Sequence, residues 1–491
     1  MSISFPTMPV TVRLPFAYAE FDPTGASDDP SLMPYTCLLV GQKLETGTAD
    51  DYSVQRPMSA AQAAELFGQG SMAATMCAAY LNANPVTKMF CIAAPDADVG
   101  VAAEGGINIT GTVMSSAPVC LYVGGVLVRA AATLGMVAAD VAENLANAIN
   151  ANRDLPVRAT HSLGQVTITA RHKGECGNDI DLRLSHHDEP LPGGIQIALI
   201  ALSGGAGNPD PAEIIAAMGN DQFHVIAWPF TDTFSLNALR DELDERWGPL
   251  RQIDGQAVVV KRGTFGVVTT FAGARNDKHL TVLPSQNSPT SPWVDAAASA
   301  GVIAYYGNND PARGFNTLLI PGVLAPAKKD LWVDFPEKNQ GLYEGVSTRY
   351  VAPDGTLRFQ KLITTYRLNP LGAEEKAFLS LNSPLTLSYL RFDWNNYLKL
   401  KYPRHKLAGN TDVNRYDASQ PIMTPKLGKA EAISRFMDVW LPMGLVEGSG
   451  QFERDLMCER SSFNENRLDW LLRPDLMNQF EVAGTLFRHI V

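Results

Sequence analysis

Between residues 210 and 330 of this 491-residue chain, apolar runs alternate with striped segments, and this rhythm restricts the fold more than any other feature. Residues 223–228, 257–261 and 280–283 read as strands. Leu236, Leu239, Leu243 and Trp247 stripe a helix after the first strand, a helical stretch runs to about Arg275, and 293–306 reads as a further helix. Strand alternating with helix at this spacing implies a parallel sheet covered by helices. Upstream, 36–40 and 89–93 read as strands. Between them Met72, Met76, Ala79 and Tyr80 share a helical face, and Asn84-Pro85 stops that helix. These are the two parts of an α/β body, 37–96 and 207–360.

Residues 97–206 have another character. Short strands are expected at 107–113, 119–123, 126–128, 166–170, 180–184 and 195–202. Gly124-Gly125 supplies a tight hairpin, because two glycines accept the positive φ such a turn requires. One helix carries Val137, Val141, Leu145, Ala148 and Ile149 on a face. The block closes in the Gly-rich SGGAGNPDP. It reads as a β-rich outer domain inserted into the α/β body.

Both ends read as extended arms. Residues 1–36 contain Pro6, Pro9, Pro15, Pro23, Pro30 and Pro34, a density that opposes a helix, and Leu14, Phe16 and Tyr18 alternate as a strand-like piece. Residues 361–475 mix elements into a C-terminal α+β domain. There Ile433, Phe436, Met437, Trp440 and Leu441 predict an amphipathic helix that Pro442 ends. Beyond a hinge at Pro474-Asp475, the arm 476–491 puts Phe480, Val482, Leu486 and Ile490 on one face of a strand. An extended arm buries little against its own chain, so it wants a partner surface. The expected class is a mixed α+β multidomain chain: an α/β body with a parallel sheet, an inserted β-rich domain, a C-terminal α+β domain and extended terminal arms.

Forty Lys and Arg against 51 Asp and Glu leave a net charge of −11, unsuited to coating nucleic acid, whose phosphates require a positive surface. Residues 391–435 run the other way. Nine bases (Arg391, Lys399, Lys401, Arg404, Lys406, Arg415, Lys426, Lys429, Arg435) face four acids (Asp393, Asp412, Asp417, Glu431), a local excess of five positive charges. A solvated face and a docking surface for an acidic partner are both open. Nucleic acid is a third reading, for which only Trp394, Tyr397 and Tyr402 are interleaved and no binding motif surrounds them. The six cysteines, Cys37, Cys77, Cys91, Cys120, Cys176 and Cys458, include no C-x-x-C pair and are expected to be reduced and mostly buried. No apolar run reaches the ~18 residues of a membrane span, and MSISFPTMPVTVRLPF lacks the pattern of a signal peptide. A soluble chain made in the cytoplasm, without membrane insertion, is expected.

No catalytic constellation emerges. H-E-x-x-H, G-x-x-x-x-G-K-[ST], G-x-G-x-x-G after a strand and the G-x-S-x-G elbow are all missing. The glycine clusters at 204–207 and 448–450 read as hinges or turns. His186-His187-Asp188-Glu189 gathers metal-ligand types, but adjacent side chains on a strand point to opposite faces, and a solvated turn is expected. Asp28-Asp29 and Glu374-Glu375 read as surface charges. No catalytic residue, cofactor site or metal site is assigned. The competing reading is an α/β enzyme with an inserted β-domain and an unidentified active site.

Several strings resemble the tail sheath proteins of Mu-like contractile-tailed bacteriophages: ITTYRLNPLG (363–372), LTLSYLRFDW (385–394), KYPRHKLA (401–408), MTPKLGKAE (423–431), GLVEG (444–448) and NRLDWLLRPDLMNQF (466–480). FHVIAWPFTD, RWGPLRQIDGQAVVVKRGTFG, FAGARN, DPARGFNTLLIPGVLAP and the opening ISFPTMPVTVRLPFAYAEFD extend the resemblance along nearly the whole chain. It is most specific over 210–480 and weakest over 97–206.

The resemblance implies a structural protein of the virion, assembled in the host cytoplasm, which forms a homo-oligomer of hexameric rings stacked around a tail tube. Such sheaths contract to drive the tube through the host envelope. The sheaths of headless, phage-derived contractile particles are a close variant. Implied partners are the tail tube protein and the baseplate and tail terminator proteins, with no cofactor. The terminal arms would donate strands to neighbouring subunits, through Leu14, Phe16 and Tyr18 and through Phe480, Val482, Leu486 and Ile490. Lys399, Lys401, Arg404 and Lys406 would form a basic patch facing the tube.

Overall fold

In the computed structural model, which describes residues 33–327, 335–411, 415–417 and 419–489, the apolar run from Cys37 to Val40 lies at the centre of a six-stranded sheet. All four of its side chains are fully buried. This strand, β1 (Thr36–Gln42), is followed by β2 (Val54–Gln55), α1 (Ala60–Phe67), α2 (Met72–Ala83) and β3 (Lys88–Ala94). Ser59 and Ser71 start the two helices, their side chains accepting the N–H groups of Gln62 and Ala74.

The inserted block then runs through β4 (Ala102–Ser115), β5 (Val119–Val123), β6 (Val126–Ala130), α3 (Ala138–Ala151), β7 (Val157–Ser162), β8 (Gln165–Lys173), β9 (Leu182–Leu184) and β10 (Gly193–Ser203). It makes two sheets of its own, an antiparallel β10-β4-β8-β7 and a smaller β6-β5-β9. Gly124 and Gly125, at φ 55° and 87°, turn β5 into β6. A Cβ on Gly125 would also press on Thr290 at 3.0 Å. A 3-10 turn at Glu175–Asp179 occupies the approach to β9, which shortens the strand expected over 180–184. The block begins and ends side by side, since Val101 and Ala206 exchange backbone hydrogen bonds of 2.8 and 3.1 Å. It is also tied to the body. His172 accepts the Met72 N–H at 3.0 Å, and Gln42 donates to the Lys173 carbonyl at 2.7 Å.

The body resumes with α4 (Pro211–Met218), β11 (Val225–Ala227), α5 (Thr233–Trp247), β12 (Gln256–Lys261), α6 (Phe265–Gly273), β13 (Leu280–Pro284) and α7 (Pro292–Asn309). The sheet order is β13-β12-β11-β1-β3-β2, parallel except for β2 at the edge. The expected parallel sheet is thus present. After β1 the chain builds outward through β3, and after the insertion it returns to the other side of β1. That is a topological switch point. Next come α8 (Phe335–Tyr343), the hairpin of β14 (Thr348–Val351) and β15 (Leu357–Lys361), and α9 (Asn382–Lys401).

Toward the C-terminus lie β16 (Lys406–Leu407), β17 (Ile422–Met423), α10 (Pro425–Arg435), β18 (Val446–Glu447), α11 (Ser449–Asp455), β19 (Met457–Arg460), β20 (Leu468–Leu471) and β21 (Asp475–Leu476). The chain divides into two compact units. One holds 34–389, 444–447 and the residues from 474 on; the other holds 390–443 and 448–473. The expected boundary at 361 is therefore not where the compact units divide, and the inserted block does not separate from the body as a unit.

In the smaller unit, α10 packs on the β19–β20 hairpin. Gly428 permits this, because a Cβ there would lie 2.9 Å from Cys458 Sγ, and its carbonyl accepts the Trp470 indole N–H at 3.1 Å. The helix expected to run to Leu441 instead widens into a π turn at Phe436–Trp440. The Leu441 N–H reaches back to the Phe436 carbonyl, and Trp440 donates its indole N–H to Asp393 at 2.7 Å.

Candidate functional site

In an open α/β sheet, a ligand would lie beyond the carboxyl ends of the strands at the switch point. Here that crevice receives the inserted block. Asp96, just after β3, bonds His172 at 2.8 Å and the Lys173 N–H at 2.9 Å. Around it stand Asp51, Asp98, Glu175, Asp210 and Asp232, and Asp232 is engaged as the N-cap of α5. No group of three or more metal-ligand side chains converges among the described residues. The crevice is a joint between two parts of the fold.

The His186-His187 pair lies in a turn, as expected, with His187 and Asp188 exposed, but His186 is not solvated. His186 is buried, donates from Nε2 to the Ala325 carbonyl at 3.1 Å, and meets His187 edge-on at 4.7 Å between centroids. Burial, and then the neighbouring His187, push its imidazole below the ordinary value. Residues 185–188 read as polar in sequence, and the Ala325 carbonyl that draws His186 inward is 139 positions away. Nothing local announced it. Glu375 is likewise no free surface charge, since its carboxylate takes the Tyr366 hydroxyl.

The C-terminal segment is fastened at its root. β21 pairs antiparallel with β18, and the Met477 N–H bonds the Leu445 carbonyl at 3.0 Å. Asn478 reaches Glu447 at 3.0 Å, Gln479 donates to the Ala312 carbonyl at 3.1 Å, and Lys361 pairs with Glu481. A groove of about 700 Å³ lies beside this root, lined by Tyr306, Arg313, Asn316 and Phe480. Beyond it, Phe480, Val482 and Leu486 are 84%, 84% and 76% exposed, and Phe487 is 90% exposed. Residues 477–489 form no strand in the single chain, where the neighbouring subunit that the expected strand would pair with is not present. A strand needs a ladder partner for its N–H and C=O groups, and among the described residues this segment has none. Ile490 lies outside the described residues, as do Leu14, Phe16 and Tyr18. The root contacts with Lys361, Ala312 and Glu447 were missed in the sequence because each joins distant positions without any periodic signal.

Lys399, Lys401, Arg404 and Lys406 are all exposed, at the last turn of α9, in the loop after it and at the start of β16. Cations at a helix C-terminus complement its dipole. Their situations differ. Lys401 donates to Glu431 and to the Tyr397 hydroxyl, both at 2.8 Å, and sits 5.0 Å from the Tyr397 ring centroid. Burial works against the charge on each partner, but their mutual hydrogen bonds prevail: Glu431 is held below its ordinary value and Lys401 above. Lys406 bonds Gln420 at 2.8 Å. Arg435 is withdrawn from the surface altogether, its Nε 2.8 Å from the buried Asp393. The basic segment thus contributes less free charge than its composition implies.

Residues 204–365 match the family model of the phage tail sheath protein central domain. Over the full length of both chains, the protein is 39% identical to the Mu-like prophage FluMu tail sheath protein of Haemophilus influenzae. Among solved structures, it is similar to a sheath tail protein from Desulfitobacterium hafniense, at 11% identity and a TM-score of 0.47 over 94% of this chain and 100% of that one. The contracted sheath complex of an extracellular contractile injection system gives 8% identity and a TM-score of 0.46, over 98% and 99% of the two chains.

Proposed function

The chain belongs to the Mu-like phage tail sheath protein family, and from that premise we propose that it polymerises as hexameric rings stacked around a tail tube and contracts to drive the tube through a host envelope. It is a structural protein and not an enzyme. The observation that carries the polymerisation reading is the terminal segment: Phe480, Val482, Leu486 and Phe487 stand exposed on a segment whose root is fixed by β21, Gln479 and Glu481. An apolar segment held at one end and without a strand of its own is suited to adding a strand to a neighbouring subunit, where main-chain hydrogen bonds and side-chain pockets stabilise it. Leu14, Phe16 and Tyr18 are proposed to do the same from the other terminus.

In this reading the tube, the baseplate and the tail terminator are the partners, Lys399, Lys401, Arg404 and Lys406 meet an acidic tube surface, and residues 97–206 face outward. The protein is then a virion component assembled in the host cytoplasm. Contraction is rigid-body movement of subunits between two packed lattices, with donated strands keeping neighbours joined. Negative-stain electron microscopy of the purified protein tests the assembly. Tubes or stacked rings are expected; a persistent monomer under all conditions of salt and concentration contradicts it.

A further inference from the structure

Among the described residues, one edge of the β10-β4-β8-β7 sheet is closed and the other is open. At the closed edge, Asn150 of α3 turns its amide onto β7, donating to the Ala159 carbonyl at 2.7 Å and accepting the Ala159 N–H at 2.9 Å. β7 also carries the exposed Arg158 and His161. Capped backbone groups and charged side chains are devices that keep a sheet edge from pairing. β10 has neither. Its sequence, GGIQIALIALS, contains no ionisable residue and no proline. Among the described residues its only ladder partner is β4. The register is regular from Ile195 to Ile200, with irregularities confined to the two ends.

The side chains repeat the asymmetry. Ile197 and Leu199 stand opposite Ile109 and Ile107 of β4, on the apolar side of the sheet against which α3 packs. Ile109 and Ile107 are 3% and 0% exposed. Ile195, Ile197 and Leu199 are only half-buried. The apolar layer runs on past the helix and ends only partly covered on the last strand.

We infer that the β10 edge is an interaction surface for a second copy of this chain, paired β10 to β10, antiparallel about a two-fold axis. Such a pair keeps equal faces on the same side, so the half-buried stripe of one copy meets that of the other. No like charges are brought together, although the chain as a whole carries −11. The regular stretch is short, roughly 20 Å long. The contact therefore falls well below the ~1,200 Å² of a stable interface and is reversible. It is isologous and closes at two copies, unlike a head-to-tail stack, so it joins unassembled subunits and does not depend on the tube reading.

The test uses full-length protein carrying Ala198→Cys, or Thr160→Cys on β7 as a control that is also exposed, treated with a short bis-maleimide and run on a denaturing gel beside the wild type. A covalent dimer at least ten-fold more abundant for A198C than for T160C is expected. Adding Leu199→Lys to A198C, which sets a charge in the half-buried stripe, is expected to abolish that dimer while circular dichroism stays native. Equal yields for the two cysteine variants, no dimer with A198C, or a dimer that survives L199K overturns the inference.

Discussion

Arg349 grips Asp295 with a single nitrogen, its Nη1 lying 2.7 and 2.8 Å from the two carboxylate oxygens, with both side chains sealed from solvent. The pair fixes β14 to α7, and Arg349 Nη2 extends the link to the Pro284 carbonyl at the end of β13. Buried ions are costly to remove from water, so the pair matters most when one partner is lost.

Replacing Arg349 by Ala leaves the Asp295 carboxylate buried without its cation. Destabilisation of about 3–5 kcal/mol is expected, read as a lower urea midpoint of the larger unit. The double variant Arg349→Met/Asp295→Leu is expected to recover much of that loss, because nothing charged is then left behind. A single-variant loss below about 1 kcal/mol would mean that water reaches the carboxylate.

His224 gives the chain a pH dependence. Its ring stacks on Tyr35 at 4.3 Å, and Nδ1 accepts the Thr36 N–H at 3.1 Å, just where β1 begins. Burial pushes the imidazole from 6.5 down to about 4. The unfolded chain binds this proton more readily than the folded one, so the stability from the neutral ring is complete above pH 6.5. It is lost progressively as pH falls toward 4, by roughly 3 kcal/mol in all. His224→Gln is expected to flatten the stability profile between pH 6.5 and 4 relative to wild type. Identical slopes for the two proteins would show that the ring is not excluded from water.

The basic loop is expected to act through Lys399, Arg404 and Lys406 more than through Lys401, which is already matched by Glu431. Neutralising the first three should weaken co-assembly with tail tube protein, most clearly at moderate salt, since rim charges govern association rate and salt sensitivity. Lys401→Gln alone should change little. Unchanged co-assembly across a salt titration in the triple variant assigns the loop to solvent.

How much of this was legible in the sequence varied with the range of the forces involved. The runs at 37–40, 257–260 and 280–283 announced buried parallel strands because both of their faces are covered. The Gly124-Gly125 hairpin was legible for the same local reason: its turn chemistry is written in two adjacent residues. The two-residue β2 was not, since Val54 and Gln55 form a strand only because β3 lies alongside. The helical stripe ending at Leu441 was visible, but its π turn depends on Asp393 reaching Trp440 across 47 positions. Likewise the apolar alternation of Phe480, Val482 and Leu486 could be read, whereas the root that holds it, Lys361 to Glu481, could not.

The central claim is that the terminal segment joins subunits. Deleting residues 480–491 removes Phe480, Val482, Leu486 and Phe487, and with them the Glu481 pair to Lys361, but keeps Gln479 on the Ala312 carbonyl and β21 on β18, so the body should stay folded. Electron microscopy of this truncated protein beside the full chain, at matched concentration, is the most direct measurement. A folded protein that forms no extended tubes is the predicted result; tubes of normal length and frequency would contradict the account.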